Sequence, residues 1–190
     1  ILDVFDADMN EILSDYVLEP QSTHHVDATF LNDGNLAYVY IRWDGQTYKV
    51  LGSILEIQNN ELQFTSSTGF SPTDQGAVSS YRPNITATAD GGFVVLYAVN
   101  SSNRSEYNEL FIQKFNASGE PQTSPKKVVD SEGGNDGYDG SIVSQSDGTF
   151  LVSWFKLSPT SEAYVFEKEA FVQKFSEDLE YVGKPISLGE

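Results

Sequence analysis

The sequence predicts an all-β chain: tandem four-stranded antiparallel units of about 57 residues, propeller-like or stacked as blades, with an N-terminal half-unit. Three observations predict it. The first is a recurring turn. Asp33-Gly34 lies in LNDGNLAYVY, Asp90-Gly91 in TADGGFVVLY and Asp147-Gly148 in QSDGTFLVSW, so the aspartates stand 57 residues apart each time. An Asp-Gly pair between an alternating stretch and an apolar, β-branched and aromatic one is a hairpin signal. The second is another motif between these turns: DVFDADMNEIL, ILEIQNNELQF, IQKFNASGEPQ and VQKFSEDLEYV. Phe5, Ile57, Phe115 and Phe175 take the equivalent place, each followed by a polar turn and a second extended stretch. The third is the lack of any sustained 3.6-residue apolar period, while Pro, Gly, Ser, Asn and Asp punctuate the chain at roughly 8 to 12 residue intervals.

Each unit therefore reads as four strands. Strand a ends at the Asp-Gly turn. Strand b carries the apolar run to about Trp43, Val99 or Phe155, strand c ends at Phe5 or its equivalents, and strand d follows the polar turn. The expected division is a half-unit at 1–20, then units at 21–80, 81–137 and 138–190. Three a–b hairpins and four c–d hairpins make an odd total, which cannot divide into whole four-stranded units. Three units also fall below the usual four to eight blades of a closed propeller. The half-unit thus leaves a β edge that needs a cover, and an open edge is a template for another chain. Ile1, Leu2, Val4 and Phe5 are apolar enough to seek burial. Completion of this half-unit by a neighbouring subunit would give a head-to-tail, non-closing homopolymer; packing on its own first unit is the plainer alternative. The start at Ile1 is expected of a processed or trimmed product.

Composition narrows the function. The net charge is -17 and the pI is near 4.2, which argues against nucleic acid and against an anionic membrane surface. The chain has no cysteine, which removes a disulfide framework, a thiolate metal site and a thiol nucleophile. The longest apolar run, Phe93 to Val99, is too short for a bilayer-spanning helix, so no membrane insertion is expected.

The pattern PNITATADGGFVV at Pro83 to Val95, followed by QKFNASGEP at Gln113 to Pro121, resembles a repeat of very large secreted bacterial proteins. There it reads roughly as D-G-G-F-x-V-x-W, a polar loop, then Q-x-F-D-A-x-G-x-P. Asp147 to Trp154 is similar to the first half, and Phe5-Asp6-Ala7-Asp8 and Phe175 to the second. Asn59-Asn60 departs from it in the first unit. The resemblance implies propeller-like blades in extracellular adhesins or surface proteins, often with calcium, and carries no enzyme activity. A looser similarity, of architecture alone, is to subunits of glycan-coated extracellular fibrils.

Four N-x-S/T triplets, at Asn84, Asn100, Asn103 and Asn116, all lie in the second unit and make N-linked glycans the expected modification of an extracellular chain. The densest acidic segment, Asp130, Glu132, Asn135, Asp136 and Asp139 on a Gly-rich stretch, offers the oxygen ligands that calcium takes, without the EF-hand spacing. Asp6, Asp8 and Asn10 are a weaker candidate, because Glu11 stands where that loop needs Gly. Both segments also suit plain turns.

No enzyme is expected. His24 and His25 are adjacent, so a regular strand would point them to opposite faces. No nucleophile–base motif stands out. The arginines are Arg42, Arg82 and Arg104, and the S-x-D-x-G-x-x-W box of sialidase propellers is absent. Tyr38, Tyr40, Trp43, Tyr48, Tyr97, Trp154 and Tyr164 crowd the b strands or flank them; they would either stack on sugars or fill the space between sheets. The expected role is structural or adhesive, outside the cell. The alternative is a carbohydrate- or calcium-binding adhesin module in a longer chain.

Overall fold

The computed structural model describes residues 2–5, 8, 9, 11–16, 23–58, 61–64, 69–72, 82–100, 108–129, 136–159 and 166–189. Fourteen strands and no helix are found among them. β1 (Leu2–Phe5) and β2 (Glu11–Tyr16) form a two-stranded antiparallel sheet. β3 (Thr23–Phe30), β4 (Leu36–Trp43), β5 (Tyr48–Gln58) and β6 (Glu61–Phe64) make the first four-stranded sheet. β7 (Asn84–Ala87), β8 (Phe93–Asn100), β9 (Asn108–Phe115) and β10 (Lys126–Lys127) make the second. β11 (Asp136–Ser144), β12 (Phe150–Pro159), β13 (Phe166–Phe175) and β14 (Tyr181–Gly189) make the third. Within each sheet, chain neighbours are sheet neighbours and every pair is antiparallel.

The two kinds of hairpin share one turn. In the Asp-Gly turns, Leu31 N donates to Asn35 O and Gly34 N to Leu31 O; Thr88–Gly92 and Gln145–Thr149 repeat the pair of bonds. Asn116–Glu120 and Ser176–Glu180 repeat it again after β9 and β13. The fourth residue of this loop has positive φ: Gly34 (87°), Gly91 (93°), Gly148 (80°) and Gly119 (81°). That is a type I turn closed by a residue in the left-handed region, where glycine carries no Cβ penalty. Leu179 takes the same position at φ 62° and Met9, between β1 and β2, at φ 63°. The aspartate fixes the turn from within, since its Oδ1 accepts the N–H two residues on, as Asp33 does from Asn35 and Asp147 from Thr149.

The sheets pack face to face, and the alternation along β8 sets the order. Phe93, Val95 and Tyr97 pack with Ala37, Val39 and Ile41 of the first sheet. Val94, Leu96 and Ala98 pack with Phe150, Val152 and Trp154 of the third. A strand covered on both faces needs apolar residues at every position, which is why FVVLYAV is the longest apolar run in the chain. Between the first two sheets, Phe70, Phe93 and Phe115 form a ring cluster with centroids 4.6, 5.4 and 5.2 Å apart. Phe70 reaches it by exchanging backbone bonds with Gly52, over which its ring lies so closely that a Cβ there would come 2.2 Å from Phe70 Cζ.

First strands of successive sheets run side by side, β3 against β7 and β7 against β11. Asp27 Oδ2 accepts from Ile85 N at 2.9 Å, and Thr86 and Ser144 bond through their hydroxyls at 3.2 Å. Asn32 Nδ2 donates to Ala89 O at 3.0 Å, tying one Asp-Gly turn to the next. The strand expected to carry His24 and His25 is not regular. β3 has a register shift between His24 and Asp27, and His25 has φ 53°, so simple alternation does not apply there.

Candidate functional site

The feature least satisfied by the chain itself is the far face of the third sheet. Corresponding positions can be read from the registers. Counting from each turn aspartate, Ala37, Val94 and Leu151 correspond, as do Val39, Leu96 and Ser153, then Ile41, Ala98 and Phe155. In the first two sheets these side chains are buried against the sheet that follows. In the third they face outward, and Phe155 is 39% exposed. Around it, Val143 lies opposite Leu151, Ile186 opposite Val172 and Val182 opposite Lys174. Val143, Val182 and Ile186 are all exposed. At the other end of the series, the face carrying Leu36, Tyr38, Tyr40 and Leu55 is buried.

Charge at the sheet junctions follows the same offset. Lys114 stands opposite Val94 and its side chain is 9% exposed. Its Nζ meets Asp90 Oδ2 at 2.8 Å within its own sheet, and it reaches the third sheet at Glu177 O (3.4 Å) and Glu177 Oε1 (3.8 Å). Lys114 lowers the Asp90 carboxyl below its ordinary value, helped by the Thr88 hydroxyl. Lys174 holds the same place opposite Leu151 and pairs with Asp147 Oδ2 at 3.2 Å. Asp147 is lowered to about 2, first by the Thr149 hydroxyl and backbone N–H and then by Lys174. Farther along the second junction, Lys126 meets Glu180 at 3.0 Å and Tyr181 donates to Lys127 O at 2.6 Å.

The residues singled out for chemistry fall as follows. Leu2, Val4 and Phe5 lie in β1, where Leu2 pairs with Tyr16, Val4 with Leu13 and Phe5 with Glu11; Ile1 lies outside the described residues. Asn84 opens β7 half-buried, and its Nδ2 donates to Arg82 O at 3.4 Å. Asn116 organises its turn: Oδ1 accepts from Ser118 N and Glu120 N, and Nδ2 donates to Glu120 Oε2 at 2.8 Å. Asn100 ends β8, and Asn103 lies outside the described residues. Asp130, Glu132 and Asn135 also lie outside them, as do Asp6 and Asn10, while Asp8 is exposed. Asp136 and Asp139 are in strand β11, not in a loop: Asp136 stands opposite Lys156, and Asp139 falls in the register shift between Tyr138 and Ser141. No group of three or more His, Cys, Asp or Glu suited to a metal is found among the described residues.

The aromatic residues divide. Tyr38, Tyr40, Tyr97 and Trp154 are buried and fill the sheet faces. Trp43 is exposed, edge-on to Tyr48 with centroids 5.0 Å apart, in the β4–β5 hairpin. Tyr164 lies outside the described residues. The feature that reading the sequence missed is the outward apolar face around Phe155 and Ile186. Its signal was present in YVGKPISLG, whose Val182, Ile186 and Leu188 are apolar and exposed.

No family model matches the chain, and no curated protein matches it.

Proposed function

We propose that the chain is a non-enzymatic extracellular structural or adhesive protein whose four-stranded units are arranged as blades around the side-by-side first strands. It polymerises head to tail into a fibre, the N-terminal hairpin being completed by a neighbouring subunit, and N-linked glycans cover its second unit. The observation that carries this reading is the outward face of the third sheet. It keeps apolar side chains at positions the other sheets bury, and such a face on a soluble monomer marks an interaction site. Propagation of a face that differs from its mate gives an open polymer when the rotation does not close. Negative-stain imaging and native mass measurement test it. Filaments, and a subunit heavier than the 21.0 kDa polypeptide by glycan increments, are expected. A compact particle of one bare polypeptide at every concentration refutes it.

One observation favours a second reading, a carbohydrate-binding module. The exposed Trp43, supported edge-on by Tyr48, offers a ring face of the kind sugars stack on. Binding to a defined glycan that Trp43→Ala abolishes, without filament formation, would put this reading first.

A further inference from the structure

The geometry points to the surfaces that mate: the turn bearing Met9 of one copy seats on the outer face of the third sheet of a second copy, against Ile186 and Lys174. This deepens the polymer reading and rests on it. Three observations carry it.

The first is the equivalence of turns. Met9, Gly119 and Leu179 hold the same place in the repeated motif, four residues after Phe5, Phe115 and Phe175, and all three have positive φ. The second is what those positions touch. A Cβ on Gly119 would lie 3.6 Å from Ile54 Cδ1 of the preceding sheet and 3.1 Å from Cβ of Phe70, which is bridged to that sheet at Gly52. Leu179 is 2% exposed, buried in the cluster shared with the preceding sheet. Each such turn therefore plugs into the sheet before it. Met9 is 75% exposed, a plug with an unbranched, adaptable side chain. A long apolar residue in the left-handed region is strained, and the strain is repaid at Leu179 by burial. At Met9 a neighbour would repay it.

The third is the socket. Ile54 stands opposite Ala37 as Lys174 stands opposite Leu151. Phe70 bridges Gly52 as Ile186 pairs with Val172. The residues that receive Gly119 thus correspond to Lys174 and Ile186 on the third sheet. Ile186 is 62% exposed, and among the described residues Lys174 pairs with Asp147 where Lys114 also holds the next turn.

Because the chain has no cysteine, an introduced pair reports contact without competition. The variant carrying both Met9→Cys and Ile186→Cys is oxidised gently and run on a denaturing gel, beside a control with Met9→Cys and Trp43→Cys. A ladder of disulfide-linked multiples from the first pair, several-fold stronger than from the control, is the expected result. Mixed single variants Met9→Cys and Ile186→Cys should give one dimer band. Equal ladders from both pairs overturn the inference. So does a bond closed within a single chain. Assembly without the Met9–Ile186 bond overturns this mating and leaves the polymer reading standing, whereas a monomer at all concentrations overturns both. Ile186→Lys, on an exposed strand, should leave the melting temperature of the dilute chain unchanged and abolish growth; growth undiminished contradicts the proposal.

Discussion

The second and third sheets carry corresponding residues in corresponding registers, yet one is covered on both faces and the other on one. In β8, Phe93 through Ala98 are all buried, odd-numbered residues against the first sheet and even-numbered against the third. In β12, Phe150, Val152 and Trp154 are buried, while Phe155 on the other face is partly open. The difference lies in neighbours, not in strand pairing. It teaches that apolar packing between faces holds neighbouring sheets together, and that the third sheet presents outward the face that the second buries.

The largest expected effect breaks the comparison at its apolar centre. Phe93→Ala should cost about 3 to 5 kcal/mol, the usual range for emptying a packed aromatic site. Phe155→Ala should cost under about 1 kcal/mol in the dilute chain, since little contact is lost. Urea unfolding of both variants checks this; similar losses would mean that the outer face of the third sheet is covered in solution. Next comes the Phe70–Gly52 contact. Gly52→Ala must push the Phe70 ring away or shift the Tyr38 carbonyl, which would stand 2.5 Å from the new Cβ. Overpacking of that kind costs roughly 1 to 3 kcal/mol, read by the same unfolding curves.

The ion pairs sharpen the comparison more finely. Lys114→Ala should destabilise by roughly 1 to 2 kcal/mol, because it strips partners from both Asp90 and Glu177 at a nearly buried site. Lys174→Ala should cost less, its pair being exposed and screened. The smallest effect is on acid stability. Asp147 is held at about 2, below its ordinary 3.8, so it favours the folded state above that ordinary value. That contribution is lost as the pH falls through the window between them. Asp147→Asn should flatten the stability profile between about pH 4 and pH 2; an unchanged slope would show that the carboxylate contributes nothing there.

Much of the fold was legible in the residues. The Asp-Gly pairs marked the a–b hairpins because Asp supplies the internal acceptor and Gly the positive φ. Leu179 and Met9 show the limit of that code, adopting the same backbone without glycine. In the second sheet, strand d is short: after the bridge between Phe115 and Pro121 the chain leaves the ladder and returns only at Lys126–Lys127. Pro121 and Pro125, which lack a backbone donor, suit that departure. The proposed assembly surface was half legible. The apolar residues near the N-terminus point to Leu2, Val4 and Phe5, whereas nothing in the sequence singles out Met9. Its meaning came only from Leu179 and Gly119, since burial against a neighbouring sheet is a three-dimensional fact. The buried tyrosines and Trp154 likewise could not be told from sugar-stacking residues until their faces were known to be covered.

The account's central claim is that the stack of sheets continues from one chain to the next. Sedimentation velocity of the 190-residue chain over a range of concentrations tests it most directly, beside Ile186→Lys. The account predicts species that grow without a fixed stopping size in the parent chain, and a lone single-chain species in the variant. A parent chain that stays monomeric throughout would contradict it.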